Sequence, residues 1–84
     1  MEVKILGTGC PNCKRLEKVT RQALDEVGVE ATVTKVTDMM DILSYKIPST
    51  PGLVIDGDVV SYGRVPTKAE TMTLITTALS SSEE

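Results

Sequence analysis

At Gly7 the hydrophobic rhythm of this sequence changes, and that change constrains the fold more than any other feature. Before it, Val3 to Leu6 is a short run, apolar but for Lys4, too short for a helix, and it reads as a strand buried on both faces. After it, from Pro11, the residues Leu16, Val19, Ala23, Leu24 and Val27 recur at the spacing of one helix face. Pro11 suits a first helical turn, where its missing N–H is no loss, and Gly28 reads as the stop. Gly7-Thr8-Gly9 is the loop between them. Strand, tight loop and helix in that order begin a βαβ unit, which should be parallel and right-handed.

The remaining elements follow from local signals. Glu30 to Val36 alternates, with Ala31, Val33 and Lys35 on one side and Thr32, Thr34 and Val36 on the other, as in a strand. Asp38 looks like the N-cap of a short helix reaching about Tyr45. Leu53-Val54-Ile55 and Val59-Val60-Ser61 flank Asp56-Gly57, the strongest hairpin signal in the chain. Thr67-Lys68-Ala69-Glu70 matches a capping box and opens a last helix whose inner face would be Ala69, Met72, Ile75 or Thr76, and Leu79. The order is β-α-β-α-β-β-α: an α/β chain with a four-stranded mixed sheet and helices on both faces. A single domain over 1–79 and a polar tail over 80–84 are expected.

Composition narrows the function. Lysine and arginine number 9 against 12 acids, a net charge of −3, which argues against a nucleic-acid surface. No apolar run is long enough to span a bilayer. The chain has no His, Trp or Phe, so histidine acid–base chemistry is excluded and the core must come from Val, Leu, Ile and Met. Met39, Met40, Tyr45 and Tyr62 are expected as core or rim. The first residues lack the basic-then-apolar pattern of a signal peptide, so a cytoplasmic location is expected. In that reducing compartment a close cysteine pair is more often chemical than structural.

That pair is Cys10-Pro11-Asn12-Cys13. Cys10 falls at the helix start, where unpaired N–H groups and the helix dipole favour a thiolate. Cys13 lies one turn inward and should be more buried. An ordinary thiol is about 3% ionised at pH 7, and one lowered by two units about 75%. Cys10 would therefore attack a substrate disulfide, and Cys13 would resolve the mixed disulfide. Lys14 and Arg15 read as solvated charges. A water or a carboxylate such as Glu17 could take the Cys13 proton. Gly7 and Gly9 would let the backbone turn and leave Cys10 exposed.

Other readings compete. A structural disulfide closing so short a loop is worth only about 2 kcal/mol. A copper or zinc carrier could use the same two thiolates, although a closed zinc site needs four ligands. Small copper chaperones place such a pair between strand and helix, but usually with Met where Thr8 stands here, and they end in a strand. Gly7-Thr8-Gly9 with Glu30 faintly suggests a dinucleotide site, yet Asn12 occupies the third glycine position. A redox-inert interaction domain is a further class.

Gly7-Thr8-Gly9-Cys10-Pro11-Asn12-Cys13 after the first strand, with Ser49-Thr50-Pro51 before Leu53-Val54-Ile55-Asp56-Gly57, resembles the thioredoxin fold over nearly the whole chain. The closest resemblance is to small prokaryotic thioredoxin- and glutaredoxin-like redox-active disulfide proteins. It implies a cytoplasmic protein-disulfide reductase, expected as a monomer, with catalytic Cys10 and Cys13 and no cofactor or metal. It also implies a cis Pro51 facing the reactive cysteine, with the Thr50 backbone pairing with an extended substrate. Gly9, Pro11 and Asn12 would complete the substrate-binding rim. The chain departs from a typical thioredoxin in having Gly9 in place of a Trp, Pro11-Asn12 in place of Gly-Pro, and no buried acid in the first strand. The segment Gly63-Arg64-Val65-Pro66-Thr67 lacks the Gly-Asp pair with which glutaredoxins hold glutathione. The implied electron donor is therefore a flavin reductase, and the implied substrates are disulfide-containing proteins.

Overall fold

The structure is a computed structural model that describes residues 1–9 and 11–82, the last two by their backbone alone. Its elements run β1 (Glu2–Leu6), α1 (Pro11–Val27), β2 (Thr32–Val36), α2 (Met39–Ser44), β3 (Gly52–Ile55), β4 (Asp58–Tyr62) and α3 (Lys68–Ser82). The sheet order is β2-β1-β3-β4. β1 pairs in parallel with β2 and antiparallel with β3, and β3 pairs antiparallel with β4. This is the expected α/β architecture with a mixed four-stranded sheet.

Local chemistry explains where the elements stop. α1 ends in a Schellman turn: Gly28 takes φ +78°, its N–H reaches Asp25 O at 3.2 Å, and the Val29 N–H reaches Leu24 O at 3.1 Å. Asp38 caps α2 by accepting from the N–H groups of Met40 at 2.8 Å and Asp41 at 3.3 Å. At the far end of that helix Lys46 takes the left-handed conformation, with φ 59°, and its N–H bonds Leu43 O. The hairpin turns through Asp56 (φ 50°) and Gly57 (φ 88°), the two positive angles of a type I′ turn. The capping box of α3 forms in both directions: Thr67 Oγ1 accepts from the Glu70 N–H, and Glu70 accepts from the Thr67 N–H.

The two faces of the sheet are unequal. Val3, Ile5, Leu53 and Ile55 pack under α1 and α3 against Leu16, Ala23, Leu24 and Ile75. On the other face Leu6 and Val54 meet Ile42, the buried residue of α2, with Val36, Tyr45, Ile47 and Val59 around them. A register shift between Leu53 and Val54 bulges the β3–β4 pairing.

Several expectations change. β2 begins at Thr32 rather than Glu30, and α3 runs to Ser82, past the expected boundary at Leu79. Ala69 is exposed, and Thr71 takes the inner position one turn before Ile75. The hydroxyl of Thr71 satisfies itself on Thr67 O at 2.9 Å, so a polar residue can stand in the core there. Met39, Met40 and Tyr62 are not core residues: they are 55%, 75% and 51% exposed. A six-residue α2 turns only one side chain fully inward, so its methionines face solvent. Among the described residues no helix is long and apolar enough to cross a membrane.

Ion pairs tie the layers together. Lys68 on α3 reaches Glu26 on α1 at 2.9 Å, and Glu17 on α1 bridges Arg21 at 3.0 Å and Lys35 of β2 at 3.5 Å. The Arg21 hydrogen bond, aided by Lys35, holds the Glu17 carboxyl below its usual range. The folded value lies below the unfolded one, so the gain is complete above about pH 4.3 and fades as pH falls through the folded value.

Two outcomes follow. Thr67→Ala should cost about 1 kcal/mol, read from urea unfolding, because it removes one half of the reciprocal cap. Glu17→Gln should give a flatter loss of stability below about pH 4.3 than the native chain, read from urea midpoints across that range.

Candidate active site

β1 brings the site together. Its last residue, Leu6, sits in register with Val36 of β2 on one side and Gly52 of β3 on the other. The chain leaving Leu6 and the chain entering Gly52 therefore meet at one edge of the sheet. The first carries Gly7 to Pro11, and the second carries Ser49, Thr50 and Pro51. β4 ends at the same edge, since Tyr62 pairs with Gly52 and the Gly63 N–H donates to Pro51 O at 2.9 Å. The Gly7 N–H donates to Val36 O at 3.0 Å, which places the chain leading into α2 there as well.

The Thr50–Pro51 bond is cis, as the resemblance implies. Thr50 is exposed and Pro51 fully buried. The expected binding residues thus divide: Gly9, Pro11, Asn12 and Thr50 offer surface, whereas Pro51 shapes the loop from within. Cys10, the expected attacking residue, lies outside the described residues. Cys13 is disulfide-bonded and buried in the first turn of α1, in line with its expected depth. Lys14 and Arg15 are exposed.

Two glycines have different reasons to be glycine. Gly9 takes φ +95°, so it makes the turn that the sequence suggests. Gly7 lies in the bend but does not adopt a left-handed angle, so the turn there does not itself require glycine. A β-carbon on Gly7 would fall 2.2 Å from Cys13 Sγ and 3.1 Å from Cys13 Cβ. The sulfur occupies the space a side chain would need. Nothing in the sequence pattern marks this contact, because it depends on how α1 crosses β1.

Glu17 is a poor base for this site. Its carboxylate is engaged by Arg21 and Lys35 and acidified by them, and an acidified carboxylate holds a proton weakly. On the opposite face Lys4 donates to the Tyr45 hydroxyl at 3.3 Å and pairs with Glu2 at 3.2 Å. The tyrosine hydrogen bond, then the glutamate, raises the lysine above its ordinary range.

Gly63 and Arg64, which the sequence marks only as part of a segment without a glutathione-holding pair, have structural roles at this edge. Gly63, with φ +74°, closes over Pro51, and a β-carbon there would meet Ser49 Oγ at 2.5 Å. Arg64 beside it is paired with Glu70, whose carboxyl is thereby lowered; Arg64 contributes most and the Thr67 N–H next.

The comparisons with known proteins agree on one family. Residues 1–76 match the model of a thioredoxin domain. The thioredoxin of Methanothermobacter thermautotrophicus (strain Delta H) is 43% identical over 70 residues, covering 83% of this chain and 91% of that protein. The thioredoxin of Methanocaldococcus jannaschii is 35% identical over 68 residues, covering 81% of this chain and 78% of that one. The structure of thioredoxin 1 from the thermophilic eubacterium Thermosipho africanus TCF52B superposes over 100% of both chains with a TM-score of 0.60 at 17% identity, a likeness of fold.

Gly63→Ala should lower stability by about 1–2 kcal/mol in urea unfolding, the usual cost of a left-handed non-glycine residue. Because Ser49 Oγ is a side-chain end that can swing aside, adding Ser49→Ala should not restore the loss. Full rescue by that second change would locate the cost in the side-chain clash instead.

Proposed function

The chain belongs to the thioredoxin family, a family of thiol–disulfide oxidoreductases, and we propose that it reduces protein disulfides through Cys10 and Cys13. The observation that carries this reading is Cys13 itself: it is disulfide-bonded and buried in the first turn of α1, at the sheet edge that also bears the cis Thr50–Pro51 bend.

The reaction has two exchanges. Cys10 thiolate attacks one sulfur of a substrate disulfide; that S–S bond breaks, and the other substrate sulfur leaves and takes a proton. Cys13 then loses its proton and attacks the Cys10 sulfur. The mixed disulfide breaks, the second substrate thiol departs, and a Cys10–Cys13 disulfide remains. Two electrons and two protons from a reductase restore the dithiol. The N-terminus of α1, which opens at Pro11, favours negative charge on a sulfur at its start.

The substrate would lie along the exposed rim of Gly9, Pro11, Asn12 and Thr50, with an extended backbone beside Thr50. Pro51 would fix the direction of that backbone. A flavin-dependent reductase as donor, a monomeric state, a cytoplasmic location and one functional unit over 1–79 complete the proposal.

The test is insulin reduction with dithiothreitol as the electron source. The native chain should accelerate it, and Cys10→Ser should remove the acceleration, by about 100-fold or more if the attacking thiolate is the catalyst. Cys13→Ser, mixed with insulin without dithiothreitol, should instead accumulate a mixed disulfide with substrate, visible as an added mass that later addition of dithiothreitol releases. A native chain that turns over no disulfide would overturn the reading.

A further inference from the structure

We infer that Gly7 is a positioning residue for the exchange chemistry: its missing side chain is the seat of the Cys13 sulfur, and that vacancy is what lets Cys13 hold a disulfide. The inference rests on the thiol–disulfide reading above. Its first support is distance, since a β-carbon at residue 7 would stand 2.2 Å from Sγ, far inside van der Waals contact. The second support is that neither backbone can yield. Leu6 is in register with strands on both sides, and the Gly7 N–H is bonded to Val36 O at 3.0 Å. Cys13 belongs to α1, which is anchored below it by the fully buried Leu16 and Thr20. The third is that Gly7 lies outside the left-handed region, so its backbone does not itself demand glycine.

The sulfur must therefore be the part that moves. A thiol can turn about its Cα–Cβ bond to escape an added methyl group. A sulfur in a disulfide cannot turn without carrying its partner along. A methyl group at residue 7 accordingly penalises the disulfide more than the dithiol.

The consequence is a shift in one balanced equilibrium. The protein dithiol reacts with oxidised glutathione to give the protein disulfide and two molecules of reduced glutathione. One S–S bond breaks, another forms, and both protons leave on the glutathione thiols. Gly7→Ala should move this equilibrium toward the protein dithiol by about tenfold, a rise of about 30 mV in midpoint potential for a two-electron couple.

The experiment equilibrates native and Gly7→Ala chains in glutathione redox buffers and counts free thiols after acid quenching. Thermal unfolding of each chain is followed in both redox states. The expected result is a displaced equilibrium, with the oxidised variant losing more stability than the reduced one. An unmoved equilibrium, or equal losses in both states, would overturn the inference. If Gly7→Ala alone does not fold, the same substitution is made with Cys13→Ala, which removes the sulfur. Recovery of folding there supports the seat; the same failure in both backgrounds overturns it. The glutathione equilibrium reads the cysteine pair directly, so it stands apart from failure of the insulin assay.

Discussion

Everything at the candidate site depends on the double pairing of Leu6. One residue at the end of the central strand is matched to Val36 in the parallel direction and to Gly52 in the antiparallel direction. The first match completes the βαβ unit, with α1 as its crossover. The second brings Pro51 beside the loop that leaves β1. The segment that leads into α1 and Cys13 and the loop that carries Thr50 and Pro51, Thr50 being 37 residues beyond Cys13, become neighbours because both flank the same strand. The side chain of Leu6 is fully buried against Val54 and Ile42, so the pairing is also held by apolar burial on the α2 face.

What the sequence made legible was local. The Asp56-Gly57 turn, the Asp38 cap and the Thr67–Glu70 box each satisfy backbone groups within a few residues, and each is where the pattern predicts. The strand and helix order follows from period together with these local signals, and the cysteine spacing with Thr50-Pro51 points to the family. The misreadings involve burial decided at a distance. Thr71 is inside and Ala69 outside because of how α3 lies on α1 and the sheet, a rotation that three neighbouring apolar positions do not determine. Met39 and Met40, expected as core or rim, are not core, because they sit on a helix too short to turn them inward. Gly7 looks like a turn glycine and is a packing glycine, since the atom it makes room for arrives from the first turn of a different element.

The unequal faces of the sheet give these parts different mechanical roles. α1 and α3 share one apolar layer with β1 and β3, and Lys68–Glu26 fastens the two helices on the outside. That layer holds Cys13 and therefore fixes the depth of its sulfur. α2 has Ile42 as its buried residue and leaves Leu43, Met39 and Met40 largely in solvent. Few buried apolar contacts mean a low local cost of opening. The segment from Lys46 to Thr50 joins this lightly held helix to Pro51, and Pro51 is in turn held by the Gly63 N–H from β4.

The two sides of the site are thus stabilised by different means. The sulfur side rests on close packing, where a methyl group added at residue 7 would meet Cys13 Sγ at 2.2 Å. The Thr50 side rests on a backbone hydrogen bond and a buried proline ring, with exposed Ser49 and Thr50 just before it. Disulfide exchange requires sulfurs to approach along one line, which demands a rigid base for the protein's own sulfur. Accepting many extended chains demands the opposite, a rim that reads main chain and tolerates varied side chains. Under the proposed function, the first requirement would fall to the α1–α3 layer and the second to a loop beyond α2, so that one small sheet would meet both.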